Sequence, residues 1–186
     1  EENIMNTAHT LQKLSKLGKI LSKIAFVFAV IGFVGCIVGI ASAQFGSGPI
    51  LKLGGVTLYG LIPGSLSGNI KGVCAALSGW LVICAGEAVL AKFAEVYFSN
   101  VLKAETPFTL AGAKELLRLG ILTAAIPTGC AVLGDIVQGV VSGLLRVTAD
   151  GAMDVYTECG SALVLGMAFI LGSLLCRLGA EQKNAA

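Results

Sequence analysis

Charge is what this chain has least of. Asp, Glu, Lys and Arg together make up 13% of its 186 residues, about half the roughly 25% of an ordinary soluble domain. Hydrophobic residues reach 55% and the mean hydropathy is +0.87, so an ordinary soluble domain is excluded. Disorder is excluded with it, because so apolar a chain cannot remain solvated. A net charge of +2, dispersed along the chain, is too weak to attract a nucleic acid, and no direct nucleic-acid partner is expected. Histidine occurs once, at His9, which removes histidine-based acid catalysis and any multi-histidine metal site. The six cysteines, at 36, 74, 84, 130, 159 and 176, show no CxxC or Cys-His spacing, so neither a zinc site nor a thioredoxin-like motif is expected. A GxSxG elbow and a P-loop are missing too. The chain is therefore expected not to be an enzyme and to carry no catalytic set, cofactor or metal.

Uncharged length is what it does have. A bilayer core of about 30 Å takes roughly 20 mostly apolar residues in a helix, and four stretches qualify, at about 24–43, 73–99, 114–145 and 158–178. The expected fold class is all-α, an integral membrane bundle of four transmembrane helices in a single membrane domain. Lysines before residue 24 and the sequence Ala41-Ser42-Ala43 give the first stretch the look of a cleaved signal. Its apolar run is longer than the usual h-region, so a retained span is expected. Lys13, Lys16, Lys19, Lys23, Lys92, Lys103, Lys114, Arg118, Arg177 and Lys183 fall on one side of the spans, against Lys52, Lys71 and Arg146 on the other. The positive-inside rule then puts both termini and the turn between spans 2 and 3 in the cytoplasm.

The segments outside the spans have patterns of their own. In residues 1–23, Leu11, Leu14, Leu17 and Leu21 are echoed two positions later by Lys13, Lys16, Lys19 and Lys23. An offset of two residues is about 200° on a helix, so leucines and lysines take opposite faces. That predicts an amphipathic inner arm at the headgroup layer, its lysines met by anionic membrane lipid or by a docking partner. In the outer loop 44–72, Ile50-Leu51-Lys52-Leu53 and Val56-Thr57-Leu58-Tyr59 flank Gly54-Gly55, which predicts a small outer β-hairpin. The second outer loop, 146–157, ends beside Glu158 and carries Asp150 and Asp154, without the spacing of a calcium loop. Small-residue ridges at Gly35, Gly39 and Ala43 and at Gly139 and Gly143 serve core packing or a homodimer alike. Cys74 and Cys159 fall near the outer ends of spans, where a disulfide is an alternative to free thiols.

Within the spans, Glu87 is the strongest single candidate for function, since an ionisable group at membrane depth is functional by default. It sits about five residues, or roughly 7 Å, into span 2 from Lys92. Arg118 or Lys114 at the start of span 3 can reach it as a structural partner; proton or substrate handling is the other reading. Asp135 follows Pro127, Gly129 and Gly134 in span 3, where proline and glycine open helices in transporters.

The turn between spans 2 and 3, residues 100–113, is the most distinctive stretch. It reads Val101-Leu102-Lys103-Ala104-Glu105-Thr106-Pro107-Phe108-Thr109-Leu110. Pro107 disfavours helix at Thr106, Thr109 is a good N-cap for the helix that follows, and Phe108 is placed to staple it. With Pro107-Phe108-Thr109, the run Lys114-Glu115-Leu116-Leu117-Arg118-Leu119 and the late Gly179-Ala180-Glu181, the chain resembles the YoaS-like family of uncharacterised bacterial four-span membrane proteins. The resemblance covers the layout of about residues 20–182. A glycine is common in that family before the Pro-Phe pair, where Ala104 and Glu105 stand here. Such genes often lie beside one for a small helix-turn-helix regulator, so the resemblance implies membrane-linked signalling or transcriptional control, and it supplies no catalytic residues. The expected function is a non-enzymatic interaction or sensor protein of the bacterial inner membrane. Its partner-binding face is formed by Pro107, Phe108, Thr109 and the four lysines of the arm. The alternative is a small transporter or channel subunit built on Glu87, Asp135, Arg118 and Pro127.

Overall fold

The computed structural model describes residues 2–45, 51–53, 56–58, 70–104, 109–147 and 159–185, with side chains described over 12–43, 70–104, 109–147 and 160–182. Four helices dominate: α1 Glu2–Phe45, α2 Ile70–Ala104, α3 Leu110–Leu145 and α4 Cys159–Ala185. All four are long and apolar enough to cross a membrane. The all-α class holds. Leu51–Leu53 (β1) and Val56–Leu58 (β2) pair antiparallel with Leu51 opposite Leu58, but two strands of three residues make no sheet layer. The turn residues Gly54 and Gly55 of the hairpin expected there lie outside the described residues, as do the loop acids Asp150, Asp154 and Glu158.

The helices begin and end for local reasons. Thr109 caps α3 as the sequence predicts: its Oγ1 accepts from the Gly112 amide at 2.9 Å and its carbonyl from the Ala113 amide at 2.9 Å. The turn expected over 100–113 is narrower, because α2 runs to Ala104 and α3 starts at Leu110. At its far end α3 closes with Arg146 at φ 52°. The Arg146 amide donates to the Gly143 carbonyl at 3.2 Å and the Val147 amide to that of Ser142 at 3.0 Å, the two bonds of a Schellman cap with arginine where glycine is usual. Pro127 lies inside α3; lacking an N–H, it cannot bond the carbonyl four residues back, yet the helix continues.

The chain divides into two compact units. The first comprises Glu1–Phe28, Glu87–Thr128 and Glu158–Ala186; the second comprises Ala29–Gly86 and Gly129–Thr157. The first has a core of Tyr97, Val101, Leu116 and Leu119, with Phe93, Phe98 and Phe169 packed against it. Tyr97 and Phe98 meet edge to face, with ring centroids 5.3 Å apart. Here α1 approaches α2 at Gly18, where a Cβ would stand 2.6 Å from the Phe98 ring. In the second unit the buried residues are mostly small, among them Cys36, Cys74, Ala75 and Ala76. Within it, Cβ atoms on Gly32 and Gly39 would meet Cys84 Sγ at 3.0 Å and Leu77 Cδ1 at 2.8 Å, so a step of seven along α1 matches a step of seven back along α2. That is the antiparallel meshing of a knob into a small-residue hole.

The structure bears on three expectations. Residues 2–23 are no separate arm but the first half of α1, and neither the leucine nor the lysine face is the buried one. Ser15, Ser22, Ala29 and Cys36, spaced by seven, are 5–8% exposed, while Leu14, Leu17 and Leu21 are 52–63% exposed. The ridge expected at Gly139 and Gly143 meets nothing within 4 Å, nor does Gly35; of the first ridge only Gly39 makes a close approach. Of the two readings of Cys74, the free thiol holds: it is a buried free cysteine.

Candidate functional site

Two concave regions stand in the first unit. One is an open cavity of about 450 Å³ between residues of α1, α2, α3 and α4, with the exposed Glu87 in its lining. Its lining is apolar apart from Glu87, Ser22 and Thr123. The two hydroxyls are committed: Ser22 Oγ donates to the Gly18 carbonyl and Thr123 Oγ1 to that of Leu119, each at 2.8 Å. Such bonds back to the preceding turn satisfy a buried hydroxyl without a second helix. The other region is a groove of about 330 Å³ between the first turns of α3 and the last turns of α4. Leu110, Leu117 and Leu174 supply its apolar surface, and Lys114, Arg177 and Glu181 its charge. Arg177 Nε donates to Glu181 Oε1 at 2.9 Å.

The Glu87 partnership expected from sequence is not formed. Neither Arg118 nor Lys114 pairs with it: the Arg118 guanidinium lies 5.2 Å from the centroid of the Phe93 ring. Lys114 faces the α3/α4 groove. The ion pairs among the described residues are Lys23–Glu95 at 3.8 Å, Lys92–Glu95 at 2.8 Å and Arg177–Glu181. Reach along a span was the right criterion for Glu87, but which face of α2 it occupies decides the matter. That face looks onto α1 and α4 as well as α3, and Leu119, Thr123 and the Phe169 ring occupy the space around it.

Asp135 is exposed on α3 and belongs to the second unit; neither it nor Pro127 lines the Glu87 cavity. Pro107 and Phe108 lie outside the described residues, immediately before the capping Thr109. Among the arm lysines, Lys13 and Lys16 are exposed. Lys19 Nζ donates to Ser99 Oγ at 3.2 Å, and Lys23 reaches Glu95. Half the lysine face is thus tied to α2.

Sequence reasoning missed Glu95, whose carboxylate gathers Lys23 and Lys92 while its side chain is only 17% exposed. The Lys92-x-x-Glu95 spacing was a legible sign of an i,i+3 pair. It also missed the contact of Asn100 with Glu115, in which Nδ2 donates to both carboxylate oxygens at 3.0 and 3.2 Å and ties α2 to α3 beside the turn. Among the described residues no three His, Cys, Asp or Glu side chains come together to hold a metal ion.

No family model, curated protein or solved structure matches this chain. Its class therefore rests on the chain's own properties. With four helices of spanning length and hydropathy and large apolar side chains exposed along all of them, it is a multi-pass membrane protein.

Proposed function

We propose that the protein is a non-enzymatic interaction or sensor protein of the bacterial inner membrane, with both termini in the cytoplasm. Its cytoplasmic surface engages a protein partner, and the family resemblance suggests a small helix-turn-helix regulator. One observation carries this reading: the groove between the start of α3 and the end of α4, lined by exposed leucines together with Lys114, Arg177 and Glu181. Apolar surface bordered by charge is the composition of a protein-binding surface. Leu110 in its lining follows the sequence Pro107-Phe108-Thr109 directly, and the basic residues of that side support its cytoplasmic placement. Phe108 is the sharpest probe, because one aromatic anchor can carry much of an interface. Crosslinking in the native host, followed by reconstitution with the purified partner, should give a complex that Phe108→Ala and Leu174→Glu abolish while insertion persists. A partner that binds both variants as well as the wild type, or no reconstitutable partner, defeats the reading.

A small transporter or channel subunit is the second reading, favoured by Glu87, which has no ion-pair partner among the described residues and lines a cavity. Glu87-dependent movement of a solute into liposomes by the purified protein would support it. Asp135, in the other unit, contributes nothing to that cavity.

A further inference from the structure

Three properties of the Glu87 cavity together define a ligand. The first is an uncompensated charge. Lys23 and Lys92 pair with Glu95, Lys19 donates to Ser99, Arg118 stacks on Phe93, and no lysine or arginine lines the cavity. A hydroxyl has a single proton to give, and those of Ser22 and Thr123 are given to their own helices. Glu87 is exposed at the opening of this apolar-walled cleft, and a carboxylate at membrane depth without donor or counter-charge among the described residues is costly and calls for a neutralising partner. The second property is the lining. Among the residues around Glu87, Leu90 and the rings of Phe98 and Phe169 present apolar and aromatic surface. The third is size: about 450 Å³ lies inside the range of about 300–1,000 Å³ typical of small-molecule pockets.

These properties choose between kinds of cation. A hard metal ion such as calcium demands about six to eight oxygen ligands, and one carboxylate beside two committed hydroxyls cannot provide them. A cation that carries its own apolar shell needs no such cage. Its charge pairs with the carboxylate, its substituents fill the apolar walls, and aromatic faces attract it further. We propose that the first unit binds a lipophilic organic monocation in this cavity, a quaternary ammonium, phosphonium or protonated aromatic amine, with Glu87 as its counter-ion and Phe98 and Phe169 as its aromatic walls. The site does not depend on the inner-face partner or on transport, since a bound cation can be sensed or carried.

Equilibrium binding of tetraphenylphosphonium to the purified full chain in nanodiscs of neutral lipid tests the proposal. Binding is expected to be saturable, to be displaced by a quaternary ammonium of similar size, and to be untouched by tetraphenylborate, which has the same shape and the opposite charge. Glu87→Gln should weaken it by about tenfold or more, as loss of one member of a desolvated charge pair does, while Glu87→Asp keeps part of the affinity. No saturable binding to the wild type overturns the proposal. So does equal affinity in Glu87→Gln, or equal competition by tetraphenylborate, which would make the cavity a cleft for lipid or detergent chains. Should the Gln variant not fold, the comparison of the two tetraphenyl ions on the wild type decides alone. Partner capture through Phe108 is a separate readout, so failure of either leaves the other standing.

Discussion

Gly120 of α3 and Gly166 of α4 face each other so closely that a Cβ on Gly120 would stand 2.9 Å from the Gly166 carbonyl oxygen, and one on Gly166 2.8 Å from that of Gly120. Both obstacles are backbone, so no side chain can swing aside to relieve them. Gly166→Ala and Gly120→Ala are expected to destabilise by about 1–3 kcal/mol, the usual cost of overpacking. Gly139→Ala, with nothing within 4 Å of the added methyl, should be neutral or gain up to about 1 kcal/mol of helix propensity. Thermal unfolding of the three variants in one detergent checks the order.

Arg146 closes α3 in a left-handed conformation, φ 52°, that costs a side-chain-bearing residue roughly 1–2 kcal/mol. Arg146→Gly should therefore raise stability, while Arg146→Val, β-branched at the same angle, should lower it. If glycine gives no gain, the cap bonds to Gly143 and Ser142 are weaker in solution than their geometry indicates.

Thr109 Oγ1 holds the Gly112 amide. Thr109→Ala should cost about 1 kcal/mol and Thr109→Ser little, as for other N-caps. A chemical-denaturation midpoint that moves equally in both variants would mean that the methyl group matters instead of the hydroxyl.

Glu87 has neither an ion pair nor a hydrogen bond among the described residues, so Glu87→Gln is expected to leave the ligand-free protein as stable as the wild type or more so. Glu95→Gln, which abandons Lys23 and Lys92, should be the more harmful of the two carboxylate changes. A scan in which Glu87→Gln melts earlier than Glu95→Gln would mean that a counter-charge reaches Glu87 in the membrane.

The proposed orientation rests on the bias of basic residues and is accessible to labelling. In a cysteine-free background, single cysteines at Thr57 and Thr148 should react with an impermeant reagent in intact cells, and one at Thr109 should not. Reaction at Thr109 from outside overturns the orientation.

The elements legible in the sequence were those marked by what large or charged residues do. Long uncharged runs became helices, and a threonine after Pro107-Phe108 became the cap of α3. What stayed hidden is carried by small residues. In α1 the eye follows the leucines and lysines, whose two opposite faces are real. The buried face is a third, narrower one between them, marked by Ser15 and Ser22, with Gly18 close against Phe98. GxxxG spacing singled out Gly139 and Gly143, which face open space, and passed over Gly120 and Gly166, which lie on different helices and meet only when folded. Pairing of Glu87 failed for a related reason: depth along a helix can be counted from sequence, whereas the face it presents depends on neighbours not yet placed.

The seven-residue stripe of Ser15, Ser22, Ala29 and Cys36 bears on how this chain can drift. In a water-soluble protein the bulky aliphatic positions are the ones selection guards, and the small or polar ones wander. Along α1 the tolerance is inverted. Ile31, Val34 and Ile37, 47–59% exposed, can trade places with any residue that lipid accepts, while enlarging a buried serine or alanine of the stripe overfills the space around it. Relatives of this chain should therefore keep their smallest residues in register long after their largest have changed, and a search tuned to conserved bulk would pass them by.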